Sequence, residues 1–310
     1  MSNKAPIKIG VFPPSQVVTG PQQVLAEYLR AVEDAGLDYV CCGDHISFYI
    51  GFGSDGLLTA AAYAAMTNSL PVSIGIYLLV LRHPVAVARQ IATFESLFPG
   101  RLIFGVGIGG EDPHEVEICG VEPKTRGRRM NECLQILHGL LEGTPFSFEG
   151  EFFRIKDALI LPAPKTKPPI LIGGRSDAAL RRAALYGDGW LPIWVSARRF
   201  KEATGQIAEV AERNGRRADS FTHGLQVWCA TGRDRSDARN RLAAAMESLY
   251  QIPFERFEKW SPYGSTQEIA EALSPYIDVG CKYINLTLQA PDPHSQIETA
   301  AAIREYLINR

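Results

Sequence analysis

Residues 170–193, ILIGGRSDAALRRAALYGDGWLPI, carry one complete strand–turn–helix–strand unit. Ile170–Ile172 is a short apolar run, Gly173-Gly174 turns the chain, and Asp177–Tyr186 shows the apolar spacing of a helix face. Gly187 stands where a C-terminal glycine belongs, and Trp190–Ile193 opens the next apolar run. Strands that alternate with helices in this way form parallel βα units.

The alternation continues in both directions. Further strands are expected at Ile7–Phe12, Tyr39–Gly43, Val72–Tyr77, Leu102–Val106, Gly224–Ala230 and Lys282–Leu288. Their apolar content is nearly continuous, as in a sheet covered on both faces. Helices are expected at Pro21–Ala35, Gly56–Thr67, Pro84–Leu97, Arg126–Leu141, Ala197–Arg213, Ser236–Leu249, Thr266–Asp278 and His294–Ile308. Eight strands, each followed by helix, within 310 residues is the count of an α/β (β/α)8 TIM barrel. No proline-rich or serine-rich linker divides the chain, so residues 1–310 are expected to form a single domain. Phe146–Phe148 and Phe152–Arg154 flank Glu149-Gly150-Glu151, which predicts a small β-hairpin inserted before the fifth strand.

Composition narrows the function classes. A net charge of −2 argues against strong attraction to nucleic acid or to an anionic membrane. The six cysteines include no C-x-x-C pair, so reduced, buried thiols of a cytoplasmic protein are expected. No long apolar leader opens the chain and no apolar run reaches membrane-spanning length. The six histidines are scattered singly, which leaves no metal-ligand spacing. No G-x-S-x-G elbow is present either.

In a barrel, residues just past the strand ends face the active-site mouth. Asp44-His45 follows the second strand and leads into a polar, aromatic and glycine-rich loop through Gly56. A histidine there is suited to proton transfer, and a helix cap beside a surface histidine is the plain alternative. After the fourth strand, Gly105, Gly107 and Gly110 match G-x-G-x-x-G, but Glu111-Asp112-Pro113 interrupts where a dinucleotide fingerprint needs a helix. Gly107, Gly109 and Gly110 read instead as a floor for a flat ring, with Glu111 at its edge, or as turn chemistry alone. After the fifth strand, Gly173, Gly174, Arg175 and Ser176 precede a helix and suit a phosphate, through free N–H groups, the helix dipole and the guanidinium. A simple helix cap is the alternative.

Taken together, these motifs resemble the bacterial luciferase-like flavin and deazaflavin oxidoreductases. The resemblance rests on an ordered set: Ala35-Gly36-Leu37-Asp38 with Asp44-His45, Leu81-Arg82-His83-Pro84-Val85 with Ala88-Arg89-Gln90, and Phe98-Pro99-Gly100-Arg101-Leu102. Gly105-Val106-Gly107, Arg126-Gly127-Arg128-Arg129 with Glu132, Ile172-Gly173-Gly174 and Tyr186-Gly187-Asp188-Gly189-Trp190 complete it. It implies a luciferase-like barrel, usually dimeric, with the cofactor ring over the strand ends and its phosphate in the Gly173–Ser176 turn. It also implies a non-proline cis peptide or a bulge near Ile76, Tyr77 and Leu78, pressed against the ring. Asp44, His45 and Glu111 occupy positions that touch the cofactor or act as acids and bases in the branch using coenzyme F420. The resemblance therefore implies F420-dependent hydride transfer to or from a small organic substrate, with His45 and Glu111 catalytic. The alternative is an FMN monooxygenase supplied by a partner flavin reductase.

Overall fold

A computed structural model describes residues 7–49, 51–110 and 112–309. Eight parallel strands form one curled sheet in the order Gly189–Trp190, Ile170–Ile172, Leu102–Val106, Val72–Tyr77, Tyr39–Cys42, Lys8–Val11, Tyr283–Gln289 and Gly224–Ala230. All eight lie where the sequence places strands. The curl brings the two edges together: Gln226 N donates to Pro192 O at 2.9 Å, and Ile193 bridges to Gln226. The sixth strand ends at Trp190, short of the expected Ile193, because Pro192 has no N–H for the ladder.

Alternate residues of the strands build two cores. Tyr39, Cys41, Ile103, Leu171 and Leu191 point inward and pack with Phe12, Ile76 and Tyr283. Val40, Cys42, Ile74, Phe104 and Ile172 point outward into the main core beneath the helices. This period of two explains why the strands read as unbroken apolar runs. Helices Pro84–Leu97, Asp177–Tyr186, Ala197–Arg213 and Thr266–Asp278 have the expected bounds. Serine caps start three of them, at Ser176, Ser196 and Ser265, the last in a capping box with Glu268.

Two antiparallel ribbons stand outside the sheet. Phe146–Glu149 pairs with Arg154–Ala158, and Glu132 accepts the N–H groups of Glu151 at 2.7 Å and Phe152 at 3.0 Å in the connecting turn. The second ribbon is a correction to the expected loop after the second strand. His45–Phe48 pairs with Phe52–Ser54, so His45 begins a strand. The short helix Pro113–Ile118 was also not expected.

The closing seam has a titratable member. His223 Nδ1 accepts the Trp190 N–H at 3.2 Å, and its carbonyl accepts Lys282 N–H at 2.8 Å. Burial holds this imidazole down from 6.5 to about 4. A value lower in the folded than in the unfolded chain means that the unfolded chain binds more protons as pH falls. His223 therefore contributes full stability above pH 6.5 and loses it progressively as pH falls toward about 4. The loss by pH 4 is at most about 3 kcal/mol. Thermal unfolding followed by circular dichroism should show a shallower acid decline for His223→Gln than for the unaltered chain. Equal declines would show that the seam does not titrate.

Candidate functional site

The C-terminal ends of the third to sixth strands are tied to one another by backbone hydrogen bonds. Gly107 N donates to Tyr77 O at 2.9 Å, Gly173 N to Val106 O at 2.8 Å, and Leu191 N to Ile172 O at 2.9 Å. This ladder puts the segments after those strands on one rim.

Asp44 anchors the second strand to that rim. Its side chain is fully buried and accepts Gly56 N–H at 2.8 Å and Leu78 N–H at 2.7 Å. The two terminal nitrogens of Arg82 grip its two oxygens, each at 2.7 Å, and Arg82 also reaches Asp55 at 2.9 Å. Burial disfavours the guanidinium charge, but the facing carboxylate outweighs it and holds Arg82 above its usual range. Burial pulls the Asp44 carboxyl upward in turn. With four N–H donors on its oxygens, the ionised pair is the form this geometry holds. Asp44 thus makes its contacts to protein and positions the rim.

His45, the next residue, is 27% exposed and stacks on Phe48 with ring centroids 4.2 Å apart. Its Nδ1 lies 3.0 Å from Oε2 of Glu115, a carboxylate only 3% exposed. Glu115 also accepts Ile46 N–H at 2.6 Å and Ser47 N–H at 3.0 Å. One turn earlier, Asp112 accepts Tyr49 N–H at 2.7 Å. The carboxylates at the start of helix Pro113–Ile118 therefore hold the ribbon strand that carries His45. A carboxylate at Nδ1 keeps the proton of the neutral ring on that nitrogen and leaves Nε2 as the acceptor. Sequence reasoning missed Glu115. Its signal was Asp112-Pro113-His114-Glu115, a helix start with an N-cap, a first-turn proline and an acid at the third position. Glu111, expected as a catalytic partner, lies outside the described residues.

The glycines have a more specific reason than the sequence supplied. Ile76 is half-buried where the third strand loses register between Ile74 and Tyr77, and the Gly75–Ile76 peptide is cis. A Cβ on Gly173 would lie 2.6 Å from Ile76 Cδ1, and one on Gly107 would collide with the same atom. These glycines make a slot for the Ile76 side chain, which becomes an apolar support at the mouth. Tyr77 and Leu78 are buried, and the Tyr77 ring packs outward under Arg82 at 4.2 Å. Gly109 takes φ +67°, which favours glycine, and a Cβ on exposed Gly110 would meet no atom within 4 Å. Gly174, Arg175 and Ser176 are exposed at the start of helix Asp177–Tyr186, with Arg175 lying 5.5 Å over the Trp194 ring.

A family model described as luciferase-like monooxygenase matches residues 7–281. The chain belongs to the luciferase-like monooxygenase family. An uncharacterised Mycobacterium tuberculosis protein is 41% identical over 131 residues, a stretch that spans 42% of this chain and 45% of that relative. The F420-dependent glucose-6-phosphate dehydrogenase of Nakamurella multipartita is 28% identical over 98% of this chain and 96% of its own length. A solved F420-dependent secondary alcohol dehydrogenase, in complex with an F420-acetone adduct, superposes with a TM-score of 0.85 at 19% identity. That superposition covers 98% of this luciferase-like chain and 99% of the other, so the two share a fold.

The residues at the rim fit a flat cofactor with an anionic arm. Ile76 offers an apolar support, and the exposed Gly174–Ser176 turn offers N–H groups beside Arg175. Among the described residues no three His, Cys, Asp or Glu side chains gather as a metal site, and no helix is long and apolar enough to cross a membrane.

The Glu115 contact has a direct spectroscopic test. Nitrogen-15 correlation spectra of the His45 ring should show the Nδ1–H tautomer in the unaltered protein. Glu115→Ala should give a mixture of tautomers as the ribbon loosens. A ring that is mainly Nε2–H before substitution would contradict the assignment.

Proposed function

We propose that this protein is an oxidoreductase that uses coenzyme F420 for hydride transfer to or from a small organic substrate at the C-terminal rim of a (β/α)8 barrel. The observation that carries the reading is His45, whose Nδ1 is occupied by Glu115 at 3.0 Å and whose Nε2 remains for a reacting proton. The likeness over 98% of the chain to an F420-dependent dehydrogenase supports the deazaflavin over FMN. The two touching sheet edges support a closed barrel, and the Phe146–Ala158 ribbon is its insertion before the fifth strand. The same reading has residues 1–310 as one domain and the enzyme as a cytoplasmic homodimer.

Ile76 would support the cofactor ring, with Tyr77 and Leu78 contributing backbone and Gly107, Gly109 and Gly110 lining the approach. Gly173, Gly174, Arg175 and Ser176 would hold the phosphate. Asp44 acts through Arg82 and Leu78 rather than on the cofactor itself. When bound, the deazaflavin supplies a carbon that accepts or returns hydride. In alcohol oxidation the substrate carbon gives up hydride, and the hydroxyl proton passes to Nε2 of His45. In the reverse direction His45 returns that proton to the carbonyl oxygen. Glu111 is the second acid–base candidate.

Titration of the protein with oxidised F420 and with FMN in parallel tests the cofactor. F420 should bind at least tenfold more tightly, a difference of about 1.4 kcal/mol. Tighter FMN, or oxygen consumption with reduced FMN from a flavin reductase, would move the assignment to the monooxygenases. His45→Ala should lower turnover about 10²–10⁴-fold and leave F420 affinity within a few-fold. The pH profile should then lose one limb. Parallel loss of affinity and turnover with an unchanged profile would make His45 a cofactor contact only.

A further inference from the structure

The seventh and eighth strands present paired residues toward the barrel interior. Gln226 stands opposite Asn285, and Trp228 opposite Thr287. The first pair closes on the third strand: a Cβ on Gly75 would lie 2.6 Å from Gln226 Oε1 and 2.8 Å from Asn285 Nδ2. Alternate residues share a face, so Trp228 and Thr287 stand on the same inner face, one layer nearer the rim.

Trp194 joins them from the segment after the sixth strand. Its φ of +56° lies in the left-handed region, which a bulky side chain occupies only when its surroundings hold it there. The ring is 8% exposed and packs 4.5 Å from Phe257 and 5.1 Å from Tyr250, centroid to centroid. Trp228 is tied to the same group, donating from Nε1 to the Tyr250 hydroxyl at 3.1 Å.

This aromatic wall carries polar atoms that the protein leaves unused. Trp194 Nε1, Thr287 Oγ1 and Asn285 Nδ2 are buried with no hydrogen-bond partner among the described residues. Buried polar groups are ordinarily paired, and aromatic walls with a few unpaired polar points are the chemistry of small-molecule sites.

We propose, building on the F420-dependent reading, that Trp194, Trp228 and Thr287 form the substrate wall for a ring-bearing apolar alcohol or ketone. The aryl or cycloalkyl ring packs against the indoles, and the substrate oxygen takes a hydrogen bond from the unused donors. A sugar phosphate suits this wall poorly, because its hydroxyls and phosphate would lose water against indole faces.

Isothermal titration of the full chain with acetophenone, acetone and glucose 6-phosphate, with and without saturating F420, tests the wall. Acetophenone should bind at least tenfold more tightly than either of the others. Trp194→Ala should weaken acetophenone at least tenfold, Trp194→Phe should retain most of the affinity, and Thr287→Val should weaken it several-fold without removing a ring. Circular dichroism melts identify any variant that has lost its fold, and Thr287→Val then carries the comparison. Tighter glucose 6-phosphate, or equal losses in Trp194→Ala and Trp194→Phe, would overturn the proposal. Ring binding that survives when F420 itself fails to bind would sink the cofactor reading and leave the aromatic site standing.

Discussion

The rim depends on one buried ion pair. Asp44 and Arg82 meet through two parallel hydrogen bonds of 2.7 Å, and the same carboxylate holds the backbone at Gly56 and Leu78. The end of the second strand, the start of the next helix and the end of the third strand are thereby locked together. Removing one partner of such a pair leaves an uncompensated buried charge, at a cost of about 3–5 kcal/mol. Replacing both by apolar residues would restore packing but would leave the Gly56 and Leu78 N–H groups without their acceptor. The pair is therefore retained for geometry: it sets where His45 begins its ribbon and where Ile76 meets the mouth.

Around that lock, close approach does the positioning. Gly107 and Gly173 are small because Ile76 fills the space between them. The glycine pattern after the fourth strand reads in the sequence as a floor for a flat ring or as turn chemistry alone. The Ile76 side chain lies against Gly107 and Gly173, so these two must lack a Cβ whatever else the glycines do.

The setting of the His45 ring is a long-range construction. Glu115 binds the His45 ring and two N–H groups of its ribbon across about 70 positions of sequence. Its helix, Pro113–Ile118, is six residues long and started by Asp112 and Pro113, and the Asp112 and Glu115 carboxylates both face the ribbon. The arrangement fixes the imidazole through a partner that is itself fully satisfied, which limits how far the ring can wander.

The strand positions and most helix bounds were legible in the chain because they rest on local periodicity, caps and turn residues. Asp177–Tyr186 and Thr266–Asp278 follow from their own serine caps and apolar spacing, with no distant contact needed. The ribbon at His45–Ser54 was not legible: its residues are polar, aromatic and glycine-rich, and its order comes from Asp112 and Glu115. Asp44 illustrates the same division. Its place beside His45 at the end of a strand is a property of the sequence. That it faces Arg82 is decided only when the third strand's end folds against the second, because hydrogen-bond partners far apart in the chain carry no local pattern.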